Sequence, residues 1–188
     1  IMTVLLVVAT AVGASQAHLL PIPPGTFDQA YLYQQFQEGM ETLPFFSVQT
    51  VPMIWLHNIR AIALATLMGI FSFGVLGVLV IMLPLMIIGF FAWTVAGSGF
   101  SPWLFMVGFV VPHGLLEVPA LILAGAAILR LGGTLAAPSR GKTIGEAWLI
   151  ALADWGKVML VVIAPLLFGA AVLEVFVTPR LALMILSG

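Results

Sequence analysis

Cysteine is absent from the chain. That excludes disulfides, thiolate metal sites and a cysteine nucleophile, while leaving the compartment open. Charge is scarce as well: charged residues make up 7% of the 188 positions, and the formal net charge is -1. Phosphate binding needs clustered Lys and Arg, and without such a cluster nucleic acid is not an expected partner. The HExxH spacing of zinc hydrolases is missing, and no serine sits in a nucleophile-elbow pattern. No catalytic residue, metal or cofactor is therefore expected, and the chain reads as a non-enzyme. What remains is apolar: 62% of the residues are hydrophobic, which places the chain in the membrane class. The expected fold class is all-α, a polytopic transmembrane helical bundle of about five spans forming a single transmembrane domain over 1–188.

The run from Ile1 to Ala14 is apolar. A hydrocarbon core about 30 Å thick needs about 20 helical residues, so a first span over 1–17 is expected to begin upstream. A cleaved signal peptide competes with this reading, with Ala9, Ala11, Gly13, Ala14 and Ala17 as small residues near a cleavage site. From His18 to Thr50 the composition turns polar, with Pro21, Pro23, Pro24 and Gly25 as breakers. Thr26 followed by Gln29 matches a capping box, and Phe27 to Glu41 reads as a short helix lying on the membrane surface or on the protein. The second span is expected over about Met53–Leu76 and the third over about Leu79–Ala96, joined tightly near Gly74 and Gly77. Ala61, Ala65 and Gly69 recur every four residues and mark a packing face. Pro84 is tolerable if it falls in the first turn of the third span.

Ser101-Pro102 reads as an N-cap followed by proline at the first helical position. The apolar run beyond it reaches Leu135, too long for one bilayer core. Pro112, Gly114 and Pro119 mark the expected break, an irregular link between a short helix and a longer one that ends near Leu131. Ala120, Ala124 and Gly125 form the small-residue face of the longer helix. Ala136 to Gly141 is a loop with Pro138, Ser139 and Arg140, and Thr143 with Glu146 is a second capping box. The helical signal then runs to Val177. It is divided into a surface helix, Ile144 to about Trp155, and a fifth span, about Gly156 to Val177. Trp148 and Trp155 suit an interface, and Asp154 can pair with Lys157 three residues on. Thr178-Pro179 should end the last helix, leaving a short apolar tail.

Arg130, Arg140, Lys142 and Lys157 cluster around the fourth-to-fifth connection, whereas His18 to Thr50 contains no Lys or Arg. The positive-inside rule makes 135–147 cytoplasmic and 18–50 extracytoplasmic in a multi-pass cell-membrane protein. Polar residues inside the spans are His57, Asn58, Arg60, His113, Glu117 and Glu174. The topology puts them in one layer beneath the outer surface, with Arg60 as the natural counter-charge for Glu117 or Glu174. Three readings compete for this layer: a structural network that pins helices, an ion, proton or substrate pathway at a broken helix, and a metal site of His57, His113 and Glu117. The first is preferred, so no metal ligand is assigned. His18, alone in its loop, reads as a solvated residue.

These residues carry a resemblance. His57-Asn58-Ile59-Arg60, Pro112-His113-Gly114-Leu115-Leu116-Glu117-Val118-Pro119-Ala120 with Ala124-Gly125-Ala126-Ala127, and Ala171-Val172-Leu173-Glu174-Val175-Phe176-Val177-Thr178-Pro179 resemble the stage II sporulation protein M family. The matching pieces lie within about Val51 to Pro179. The chain departs from the family pattern at His57, where the family usually has Asn, and at Leu83-Pro84-Leu85, where it usually has an Asn-Gly pair. The resemblance implies an integral membrane protein that works in the cell envelope. In spore formers the namesake holds peptidoglycan-degrading partners in place without being the hydrolase. The expected function is a non-enzymatic scaffold or assembly subunit of a multi-subunit membrane complex. Its partners would be the lipid bilayer and other membrane proteins, a homo-oligomer among them. A transporter or channel subunit is the alternative.

Overall fold

A computed structural model describes residues 1–19, 26, 28–42, 47–138 and 140–187. The breakers Pro21, Pro23, Pro24 and Gly25, the start of the loop helix at Phe27, and Ser139 lie outside the described residues. The helices are α1 (Met2–Gln16), α2 (Gln29–Thr42), α3 (Thr50–Phe71), α4 (Val75–Gly97), α5 (Pro102–Phe105), α6 (Val111–Ala136), α7 (Ile144–Val158), α8 (Ala164–Phe176) and α9 (Thr178–Ser187). No strand occurs among the described residues. Among the described residues five helical stretches are long and apolar enough to cross a membrane: Met2–Leu19, Thr50–Phe71, Val75–Gly97, Pro102–Ala136 and Ile144–Ser187. The fold is the all-α transmembrane bundle read from composition.

Lipid offers no hydrophobic drive for one apolar helix to leave it for another, so close backbone approach must hold such a bundle together. The small residues supply that approach. Gly77 of α4 packs against the Ala65 carbonyl of α3 and the Ile128 side chain of α6, and Gly132 of α6 packs against Phe73 and Gly74. Ala65 and Gly69 are buried, as are Ala120, Ala124 and Gly125, the last against Met2 of α1. Ala61 is exposed and stands outside this seam. α6 is the central element, packing on α1, α3, α4, α7 and α8. One core runs through Leu6, Ile62, Ile81, Leu121, Ile128, Ile163 and Leu167.

The α3–α4 turn has Phe73 at φ 52° and Gly74 at φ 98°. The left-handed Gly74 is where the chain reverses, and Gly77 already belongs to α4. Pro84 lies ten residues into α4, not in its first turn, and α4 continues through it. Other helices stand beside this stretch, the setting in which a transmembrane helix tolerates proline.

The fourth span contains no irregular link. The chain stays helical from Pro102 to Ala136, and the deviation is a π-helical segment, Met106–Val110, in which the Val111 N–H bonds the Met106 carbonyl. A proline ring clashes with the carbonyl four residues back, here that of Gly108, and a wider turn relieves the clash without exposing backbone to lipid. Pro112 sits at the start of α6, Gly114 follows inside the helix, and Pro119 is carried within it without interruption. The same device recurs in the fifth span. The π segment Met159–Ile163 precedes Pro165, with the Ala164 N–H bonded to the Met159 carbonyl. The expected surface helix and fifth span are therefore one continuous helical run from Ile144 to Phe176.

Three local expectations are corrected. α2 is capped by Asp28, whose Oδ1 accepts from the Ala30 and Tyr31 N–H groups at 3.0 and 3.1 Å, and not by Thr26. A carboxylate one residue before the helix reaches its open N–H groups directly. Asp154 pairs with Arg130 of α6 at 2.7 Å instead of with Lys157, because packing of α7 on α6 brings the guanidinium to it while Lys157 stays exposed. The apolar tail is the helix α9, separated from α8 only at Val177. α9 packs on the first π segment and on α2, where Gln29 Nε2 donates to the Leu186 carbonyl at 3.1 Å. The capping boxes fare differently: Thr143 and Glu146 form theirs reciprocally, and Ser101 Oγ accepts from the Leu104 N–H at 3.4 Å. Trp155 turns inward onto the core, and the Trp148 and Trp155 indole nitrogens are buried with no acceptor among the described residues.

Candidate functional site

Span-length helices bring their polar residues together only where turn and register agree. In α3, positions 50, 54, 57 and 58 fall on one face of the helix. That face meets α6 and α8 at the end of the bundle where α3 begins. There a cleft of about 470 Å³ opens, lined by Thr50, Met53, Ile54, His57 and Asn58 of α3, His113 and Glu117 of α6, and Glu174 and Val175 of α8. Five of the six polar residues read from the spans thus share one cleft. Thr50, Met53, Ile54 and Val175 were not singled out from the sequence, and only their helical register relative to His57 and Glu174 could have pointed to them.

His113 and Glu117 face each other across one helical turn at 3.9 Å between Nε2 and Oε2, their side chains 16% and 22% exposed. The second His113 nitrogen, Nδ1, lies 3.3 Å from the Thr178 hydroxyl. That contact fastens the start of α9 to α6, a role that the Thr178-Pro179 pattern did not suggest. Glu174 is partly buried and lines the same cleft as Glu117. Neither carboxylate forms an ion pair with Lys or Arg.

Arg60 is not their counter-charge. It lies three residues beyond His57, outside the lining, on the exposed face of α3, and makes no ion pair among the described residues. About 20° around the helix from Met53 and about 60° from His57, it stands at the rim of the cleft on the exposed side, and its side chain is not part of the lining. His57 is itself exposed at the rim. Among the described residues no three His, Asp or Glu side chains are grouped closely enough to hold a metal, so His57, His113 and Glu117 do not converge as a ligand set. His18 is exposed, with Nδ1 2.7 Å from the Ser15 carbonyl.

Asn58 and Glu117 also line a smaller pocket of about 40 Å³, with Ile62, Pro84, Leu121 and Leu167 among its other walls. Ile62, Ile128, Ile163 and Leu167, each no more than 2% exposed, close the bundle below it. The polar cleft thus borders on packed apolar side chains. Such an arrangement can receive a group from outside and meet it with carboxylate and imidazole.

Comparison with known proteins adds one match. No curated protein and no solved structure matches the chain at a significant level. A family model described as Stage II sporulation protein M matches residues 2–179. That range takes in α1, the polar segment and the whole cleft as well as the stretch from Val51 that carries the motifs. With nearly the whole length matched, the chain belongs to the stage II sporulation protein M family.

Proposed function

We propose that this protein is a non-enzymatic membrane scaffold, an assembly subunit that holds other membrane proteins in a complex of the cell envelope. In this reading it crosses the membrane five times, with 18–50 outside and the loop near Arg140 and Lys142 in the cytoplasm. The asymmetry of Lys and Arg supports that orientation. One observation carries the functional reading: Asn58 and Glu117 of the polar cleft stand next to the buried side chains of Ile62 and Leu167, which favours a place to bind over a path across. Polar side chains at membrane depth commonly make contacts between helices. Family membership agrees with a scaffold, since the resemblance implies a role in holding envelope-remodelling partners.

The test is native purification of the tagged protein in mild detergent, wild type beside Glu117→Gln. Other membrane proteins should co-purify in fixed proportion with the wild type and be depleted with a folded variant. A protein that purifies alone, or a complex indifferent to Glu117, overturns the reading. The ionisable lining of a cleft this large favours a second reading, a transporter or channel subunit. Reconstitution into vesicles separates the two: proton or amine flux that disappears in Glu117→Gln would replace the scaffold by a transporter.

A further inference from the structure

The charges of this chain leave an imbalance in the membrane. The protein has six cationic side chains, Arg60, Arg130, Arg140, Lys142, Lys157 and Arg180, and all are described. Arg130 is paired with Asp154 at the opposite end of the bundle. Arg140 and Lys142 are exposed in the α6–α7 connection, and Lys157 is exposed in the last turn of α7. Arg180 is exposed on α9 and donates to the Phe176 carbonyl at 2.9 Å. None of these neutralises Glu117 or Glu174, and Arg60, the remaining cation, has no ion pair among the described residues.

Arg60 is also where a lone cation costs most. It is the eleventh residue of the 22-residue helix α3, about 15 Å along the axis from Thr50. A helix of that length is about 33 Å long, so Arg60 falls near its middle, on its exposed face. Arginine at such a depth costs several kcal/mol or thins the bilayer unless it finds a partner. Among the described residues the chain thus holds an exposed arginine without an anion and an open carboxylate cleft whose basic groups are imidazoles, without Lys or Arg. The two stand at the same depth: Asn58 and Ala61, on either side of Arg60 in sequence, line the small pocket that Glu117 also lines. They also flank one another, because Arg60 projects beside Met53 and His57 at the cleft rim, about 60° around the helix from His57.

We infer that a second copy of this chain completes the site, Arg60 of each copy entering the Glu117/Glu174 cleft of the other. Copies with the same orientation in a bilayer are related by an axis along the membrane normal, which preserves depth, so donor and acceptor must lie at one level. A two-fold contact must also be self-complementary, with both halves on the same patch. Arg60 and the cleft meet both conditions. The guanidinium fork can engage a carboxylate bidentately, and two such contacts form per dimer. This inference rests on reading the cleft as a protein-docking site, and it identifies the occupant.

The test uses the full chain, labelled with donor or acceptor dyes on separate preparations and reconstituted in phosphatidylcholine vesicles that contain no other protein. Energy transfer then reports self-association whether or not the chain organises other partners in the cell. The wild type should associate. Arg60→Gln and the double change Glu117→Gln with Glu174→Gln should each weaken association roughly tenfold or more, as truncating one side of a desolvated charge pair does, while Arg60→Lys, which keeps the charge and loses the fork, falls between and Arg130→Gln retains it. The deciding measurement mixes the two weakened variants. A mixed dimer keeps one intact contact, Arg60 of the carboxamide copy in the unaltered cleft of the Arg60→Gln copy, and should associate more tightly than either variant alone. Circular dichroism and thermal melting exclude variants that have lost their fold. A monomeric wild type, association unchanged in Arg60→Gln, or a mixture no tighter than its components overturns the inference. The last result would mean that Arg60 swings into the cleft of its own chain.

Discussion

Gly13 of α1 and Gly89 of α4 hold their two helices together from opposite sides. The Gly13 backbone lies against the Met86 carbonyl, and the Gly89 backbone lies against the Thr10 carbonyl. The residue numbers rise along one helix as they fall along the other, so the pair is antiparallel. Each glycine removes the atom that would keep the helices apart, and the gain is close van der Waals contact along α1, the main cohesive term where lipid and side chain are equally apolar.

Replacing Gly13 or Gly89 with Leu should therefore force α1 off α4 and destabilise the protein by about 1–3 kcal/mol, the range for overpacking. Gly133 is the control: nothing lies within 4 Å of where its Cβ would stand, so Gly133→Ala should change stability by less than about 0.5 kcal/mol. Unfolding in mixed detergent micelles, followed by loss of helical circular dichroism, measures both. Equal effects at Gly13 and Gly133 would mean that the close approach contributes nothing.

Trp55 ties α3 to α8 at two points. Its indole Nε1 donates to the Ala164 carbonyl at 2.9 Å, and its ring meets Phe168 edge-on at 5.9 Å between centroids. Trp55→Phe should keep the ring contact and lose the hydrogen bond, for a cost of about 0.5–1.5 kcal/mol. Trp55→Ala loses both and leaves a void, for about 3 kcal/mol. The same unfolding assay gives the two values. A phenylalanine variant as unstable as the alanine one would assign the whole effect to the hydrogen bond.

What was legible in the sequence depended on how far a signal reaches along the chain. The Thr143/Glu146 box and the Ser101 cap form within a single helical turn, so residue type and spacing suffice to read them. The small-residue faces were legible because lipid leaves close packing as the only reason for such spacing, although Ala61 stands outside the contact. Asp154 shows the limit: Lys157 is near in sequence, but Arg130 is near in space, and only the packing of α7 on α6 decides between them. Arg60 shows the same limit in charge. Its layer was predictable, yet whether its side chain turns into the cleft or out from the rim is decided by side-chain packing and not by spacing. The fourth span was legible as a problem and not as a solution. Its length and prolines demanded a deviation, and the backbone met the demand with a wide turn instead of a break.

That wide turn leads to a test of what Pro112 imposes. Gly108, within the π segment, faces α9, and a Cβ placed on it would lie 3.6 Å from the Ala182 Cα. With a Cα–Cβ bond of about 1.5 Å the two Cα atoms are at most about 5.1 Å apart, within the reach of a disulfide. Because the chain has no cysteine, the pair Gly108→Cys with Ala182→Cys can be introduced without a background, and it should oxidise readily while Pro112 is present. With Pro112→Ala the missing N–H is restored and the clash with the Gly108 carbonyl disappears, so the segment can close to an ordinary α-helix. That closure rotates everything before it by roughly 100°, one residue of helix. The Gly108 position then turns away from α9, and the cross-link yield should fall severalfold, while cysteines placed on the α6 side of Pro112 keep their reactivity. An unchanged yield would show that contacts with α9, and not the proline, hold the π segment open.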